Sequence, residues 1–297
     1  MIDQMRAHYT VVEICEALDL SRSGYYKSIG SQPSERQREN GDLLKEMKVV
    51  HNEGFKRAYG SPRMTIELQR RGLSCSENRV ARLMSKAGMK ARYKTAFRPK
   101  TTVQNPARLP APNRLSKAPA PVRPGEVLVS DITYVATTQG WMYLAVTLDL
   151  FSRQVAGWHL AQSMETALVI QAARKASSRA GVGQGTIYHS DRGCQYTSAA
   201  MRSWLKDRGI VQSMSAAGYC YDNAACESFF ATLKREAFPA NCVFSSKAEA
   251  RRTIFEYIET FYNRIRIHTS LKNQSPHEYL TKHFQQEKIT LNLNQSD

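Results

Sequence analysis

The chain has no apolar run of about 18 residues, the least that a membrane helix needs, so neither a span nor a membrane partner is expected. Its first residues, Met1-Ile-Asp-Gln-Met-Arg6, hold no apolar signal core, which predicts a cytoplasmic protein. Cysteine is sparse and scattered: six residues, no C-x-x-C pair, and no His/Cys cluster at zinc-ligand spacing. Free thiols in a reducing compartment follow. Cys226 adjoins Glu227, but the sequence offers no nearby base that would make it a nucleophile. Acid is short in the front half. Residues 1–125 carry 11 Asp+Glu against 24 Lys+Arg, whereas residues 126–297 carry 15 against 18.

What is present fits a globular protein: 297 residues, 42% hydrophobic, enough for two or three domains and a sizeable core. The net charge of +16 therefore sits mostly at the front, as in an arm that grips a polyanion. Residues 1–30 read as a helix-turn-helix unit, with Val11, Val12, Ile14, Cys15 and Leu18 inward and Arg22 and Tyr25 on a helix that could enter DNA. Residues 31–58 read as a connecting helix, buried through Leu43, Leu44, Met47 and Val50. Residues 59–97 repeat the helix-turn-helix plan. Pro62 lies in the first turn, Gly72 ends the first helix, Ser74-Cys-Ser-Glu77 forms a capping box, and Arg79, Arg82 and Lys86 face outward toward DNA. Residues 98–125 hold seven of the eleven prolines and six Lys/Arg without an acid, the composition of an extended basic linker. A domain boundary is expected near residue 125.

Beyond it, strands are expected at 127–134, 141–149, 155–161, 186–191 and 210–214, with helices at 165–179, 198–208, from 222 onward and at 246–264. That order predicts an α/β domain over 126–284, a mixed five-stranded sheet with helices on both faces, and a polar tail at 285–297. Three acids stand out. Asp131 lies in the first strand, Asp191 ends the fourth, and Glu227 opens a helix capped by Asp222 or Asn223. Thirty-five residues separate Asp191 from Glu227. Lys234 lies two helical turns after Glu227 and points the same way, toward a DNA phosphate. Carboxylates gathered in one place repel one another, and a hard divalent cation relieves that cost. Two Mg²⁺ ions, or Mn²⁺, roughly 3.5–4 Å apart would activate an attacking hydroxyl and stabilise a leaving oxygen in phosphodiester chemistry. Asp149 also ends a strand and competes with Asp131; His189 shares a side with Asp191 but is expected to be packed.

Several motifs resemble the transposases of the IS-three insertion-sequence family: Ser130-Asp-Ile-Thr-Tyr134, Gly140-Trp-Met-Tyr-Leu-Ala-Val146, Asp149-Leu-Phe-Ser-Arg-Gln-Val-Ala-Gly-Trp158, His189-Ser-Asp-Arg-Gly193 with Gln195-Tyr196, Gly218-Tyr-Cys-Tyr-Asp-Asn-Ala-Ala-Cys-Glu-Ser228, and Tyr262-Asn-Arg-Ile-Arg-Ile-His268 with Ser275-Pro276 and Tyr279. The resemblance spans about residues 8–282. It implies an RNase H-like, retroviral-integrase-like core preceded by all-α helix-turn-helix units, with Asp131, Asp191 and Glu227 as catalytic and metal-binding triad and Lys234 and Arg266 at DNA. It further implies cleavage at element ends and strand transfer by a 3′-hydroxyl. The implied partners are double-stranded DNA, both terminal inverted repeats and target, and further copies of the chain, as a homodimer or larger, in a bacterial, nucleoid-associated setting. No sustained leucine heptad occurs, so the chain resembles the family's second-frame product, which an upstream-frame protein or fusion would complete. The alternative is a non-catalytic DNA-binding regulator of transposition.

Overall fold

The computed structural model describes residues 5–6, 8–30, 32–91, 110–179, 182–215 and 223–294. The expected Asp222 cap, the first part of the basic linker and the last three tail residues lie outside them. The chain forms two compact units, Met1–Lys90 and Ala91–Asp297.

In the first unit, α1 (Val11–Ala17) starts at Thr10, whose hydroxyl accepts from Glu13 N while the Glu13 carboxylate accepts from Thr10 N. Helix α2 spans Arg22–Gly30. Tyr25, expected at DNA, is buried with its ring edge-on to Tyr26, because the helix turns that side inward. The next three helices, α3 (Glu35–Asn52), α4 (Ser61–Arg70) and α5 (Glu77–Lys86), share one core. Leu43, Met47 and Val50 pack against Met64, Leu68, Val80, Leu83 and Met84. The expected connecting helix is thus part of the helix-turn-helix bundle. Gly72 follows α4 at φ 83°, a left-handed turn that favours glycine. The cap of α5 is Ser76 rather than Ser74.

The second unit is built on a six-stranded mixed sheet. Strands β1 (Val127–Thr137), β2 (Gly140–Asp149) and β3 (Val155–Ala161) form an antiparallel meander. β4 (Ile187–Ser190) and β5 (Val211–Met214) add in parallel on the far side of β1, giving the order β3-β2-β1-β4-β5. β6 (Val243–Phe244) pairs with the end of β1 and was not expected, since two residues show no alternation. On one face lie α6 (Thr166–Arg179) and α7 (Ala199–Lys206), where Leu168, Val169, Ala172 and Met201 meet Leu128, Ala145 and Tyr188. Gly157 of β3 admits α6 closely: a Cβ there would lie 2.1 Å from the Ala172 carbonyl oxygen. Helix α8 (Ala224–Glu236) packs on β1 and β2. The expected helix 246–264 divides into α9 (Lys247–Phe255) and a π-helical turn, Glu256–Tyr262. Helix α10 runs Pro276–Asn294, well into the expected tail. The end of the linker is laid on this unit: Arg114 N donates to Ser213 Oγ at 2.9 Å and Gly125 N to Asp149 Oδ1 at 2.9 Å.

Arg266, expected at DNA, is instead a buried structural cation. Its Nε and Nη2 donate to Glu236 Oε2 and Oε1, both at 2.8 Å, and Tyr257 Oη donates to Oε2 at 2.8 Å. Glu236 ends α8, so this network fixes that helix to the chain that follows it. Arg266→Ala removes the buried cation of Glu236, leaving only the more exposed Arg235 at 3.6 Å, and is expected to destabilise the fold by about 3–5 kcal/mol. Urea unfolding of the variant checks this; a midpoint within error of the wild type contradicts it.

Candidate active site

Ser130 faces Ser190 across the parallel β1–β4 ladder. Asp131 and Asp191 each come one residue later, so they leave neighbouring strands at the same level. Asp131 also pairs with Val146 on β2. Its Oδ1 accepts from Ile132 N at 2.8 Å. The Asp131 side chain keeps a small opening to solvent but is otherwise packed in protein, and its pKa is pushed up to about 8. Burial is the largest cause, followed by the charge of Asp191; the charge of Glu227 adds, while the Ile132 N–H and Lys234 pull the other way. One carboxyl thus feels both other acids and the lysine. Asp191 Oδ1 accepts from Gly193 N at 2.9 Å. A Cβ on residue 193 would stand 3.0 Å from that same oxygen and 3.1 Å from Gln195 Oε1, so glycine lets the carboxylate fold back.

Helix α8 brings the remaining groups. Asn223, expected as a cap, makes no cap bond; it is buried, and its Nδ2 reaches the Ser130 carbonyl at 3.4 Å, fastening the helix start to β1. Cys226, Phe229, Phe230 and Leu233 are buried, which turns Glu227 outward in the first turn and leaves Lys234 half-buried two turns later. Burial raises the Cys226 thiol pKa far above its usual value, and the charges of Asp131, Glu227 and Asp191 raise it further. It stays a thiol, as its lack of a base suggested. Among the described residues, no group of three or more His, Cys, Asp or Glu is gathered so that it could hold a metal ion. The three acids share a field without closing into a cage.

Beneath them lies a polar layer whose contacts sequence reasoning did not resolve. Ser130 Oγ donates to Val146 O at 2.8 Å and so accepts from Tyr196 Oη at 2.9 Å. Tyr188 Oη lies 3.2 Å from Thr147 Oγ1. In the sequence, Gln195-Tyr196 is visible only as a motif. His189 is buried between Ser213 Oγ at 2.9 Å and Ser215 Oγ at 3.0 Å, a packed histidine. Asp149 is no competitor: it is buried in the β2–β3 turn, accepting from Gly125 N, Ser152 N and Ser152 Oγ.

The cations divide. Arg22, Arg82 and Lys86 are exposed. Arg79 is held inside its own unit, with Nη2 2.9 Å from Glu39 Oε2 and Nε donating to Asn40 Oδ1 at 2.8 Å. Periodicity placed it outward but could not show that α3 supplies an acid there.

Residues 121–220 and 227–284 match integrase core domain families, and residues 37–97 match an HTH-like domain family. The last match begins within α3, as the shared core requires. The insertion element IS600 uncharacterized 31 kDa protein of Shigella sonnei is 38% identical, covering 92% of this chain and 99% of that protein. Transposase InsF for insertion sequence IS3A of Escherichia coli K12 is 35% identical, covering 95% and 97%. Among solved structures, a simian T-cell lymphotropic virus intasome chain aligns with a TM-score of 0.46 and 13% identity, over 80% of this chain and 74% of that one. By its sequence relatives and family matches, the chain belongs to the IS3 (IS-three) family of insertion-sequence transposases, with an HTH-like domain followed in sequence by an integrase core.

Proposed function

We propose that this transposase binds the ends of its element and cuts and joins DNA strands at Asp131, Asp191 and Glu227, using a 3′-hydroxyl as the attacking group. The observation that carries the reading is the register that sets Asp131 and Asp191 side by side, one residue past the paired Ser130 and Ser190, with Glu227 and Lys234 near enough to act on the Asp131 carboxyl. Asp149, buried with a structural role, has three hydrogen-bond donors turned on its carboxylate, whereas Asp131 has the one Ile132 N–H. Unrelieved repulsion of this kind belongs to functional sites. The donor set is all carboxylate oxygen, which fits Mg²⁺ or Mn²⁺. When bound, two such ions would supply the positive charge that activates the attacking hydroxyl and stabilises the departing oxygen.

The chain's own groups then divide the work. Asp131 and Asp191 are held by backbone donors and form the fixed side of the site. Glu227 is exposed and free to adjust on α8, whose two ends are anchored by Asn223 and by the Glu236–Arg266 pair. Lys234 holds a phosphate of the DNA strand beside the acids. Arg82 and Lys86 on α5, with Arg22 on α2, supply further contacts to DNA from the first unit. Further copies of the chain, and an upstream-frame partner, would complete the assembly on two ends.

Three outcomes test this reading. Glu227→Gln should retain element-end binding in a gel shift while losing Mg²⁺-dependent cleavage and joining by on the order of 10³-fold or more; joining at the wild-type rate contradicts its role. Arg82→Ala with Lys86→Ala should weaken end binding and lower the salt slope by about 1 per lost phosphate contact, whereas Arg79→Ala should chiefly lower thermal stability. The third outcome is a pH dependence. Because the Asp131 pKa is raised in the folded state, it contributes a stability that is present below about pH 4 and lost as the pH rises through about 8. Asp131→Asn should therefore raise the Tm of metal-free protein more at pH 8 than at pH 5. Mg²⁺ at 100 times its Kd should stabilise the wild type by about 2.7 kcal/mol and this variant by much less. Equal shifts in both proteins contradict the assignment.

A further inference from the structure

The strongest unassigned feature of the second unit is a groove of about 840 Å³ at the β3 edge, between α6 and α9. Its lining includes Lys175 and Arg179 from α6 and Lys247, Arg251 and Arg252 from α9. Two segments some seventy residues apart in sequence thus bring five cations to one groove whose exposed wall is mainly apolar. Glu259 is the one acid in the lining, and it is already engaged: its carboxylate accepts from Arg179 at 2.7 Å and from Trp158 Nε1 at 2.9 Å; Glu249, outside the lining, acts on Arg252. Lys247 Nζ donates to the neutral Gln162 at 2.8 Å, and Lys175 Nζ lies 5.2 Å from the centre of the Trp158 ring. Among the described residues, Lys175, Lys247, Arg251 and Arg252 form no ion pair. His159 nearby has a lowered pKa, first through burial and then through Lys175 and Arg251, which agrees with a positive field at this edge.

We propose that this groove binds the phosphate backbone of duplex DNA, at a surface separate from the carboxylates. The inference rests on the DNA-joining function proposed above and adds a second contact to it. Trp158 pairs with Val146 and Val146 with Asp131, so the groove starts two strands across the sheet from the acids. A single strand would call for a succession of open aromatic faces. Here Trp158 is buried and bonded through its N–H, which leaves Phe255 as the exposed ring. A second copy of the chain docked by a twofold axis on this groove would set five cations against five. A duplex, with one charge per roughly 1.7 Å of axis, matches the charge and the concavity together.

The test uses the full chain and a duplex of random sequence, with affinity measured by fluorescence anisotropy across a salt series. Lys175→Ala, Arg251→Ala and Arg252→Ala combined should lower the slope of log K against log [salt] by about 2–3 and weaken binding at least ~10-fold at low salt. Arg251→Lys with Arg252→Lys should keep the wild-type slope. An unchanged slope in the triple variant, with an unchanged melting curve, overturns the groove. So does an unchanged slope accompanied by a lower sedimentation mass, which would make the surface a contact between copies. Joining of element ends by the wild-type chain is measured in parallel. Joining together with an unchanged slope overturns the groove alone; a lowered slope with joining that Glu227→Gln leaves at the wild-type rate overturns the active-site reading and leaves the groove standing.

Discussion

The parallel register of β1 against β4 is the constraint on which the site depends. Because Ser130 lies opposite Ser190, the next residue on each strand is an aspartate, and the two carboxylates cannot avoid one another. The meander on one side of β1 and the crossovers on the other supply the hydrogen bonds that hold this register against the repulsion. Tyr196, Ser130 and the Val146 carbonyl form a buried chain of hydrogen bonds directly beneath it. A one-residue slip would turn Asp131 into the layer filled by Leu128, Tyr188 and α6.

Helix α8 is constrained in a different manner. Its start is tied to β1 by Asn223, and its end is closed by Glu236, Arg266 and Tyr257. Burying an ion pair is costly, and an apolar substitute is often as stable. What the pair achieves is position: the helix that carries Glu227 and Lys234 is held at both ends while its outer face stays open. The π-helical turn that supplies Tyr257 and Tyr262 also supplies Glu259, which anchors Arg179 of α6 and Trp158 of β3. One irregular segment therefore braces both the acidic site and the basic groove.

Much of this was legible in the sequence, and the failures share a cause. Alternation and turn residues gave the five main strands, and the residues flanking Asp131, Asp191 and Glu227 gave a resemblance specific enough to name a family. Periodicity also turned Leu43, Met47 and Val50 inward. It could not say that they face α4 and α5, so a bundle helix was read as a connector. Arg79 and Arg266 are residue types suited to DNA, and each is met in three dimensions by an acid from a distant segment; Tyr25 is on the buried side of its helix. The basic groove is invisible in the sequence because its two halves lie on either side of three strands and two helices. Strand β6 is too short for any pattern.

The charges fall into three surfaces: outward cations in the first unit, acids with Lys234 at the centre of the sheet, and the cationic β3 edge. The central claim concerns the second, that Asp131, Asp191 and Glu227 together form one divalent-metal site. Anomalous diffraction from crystals of the DNA-bound protein grown with Mn²⁺ measures it most directly. The account predicts manganese peaks touched by oxygens of all three carboxylates. Manganese bound with Glu227 turned to solvent, or none between Asp131 and Asp191, would contradict it.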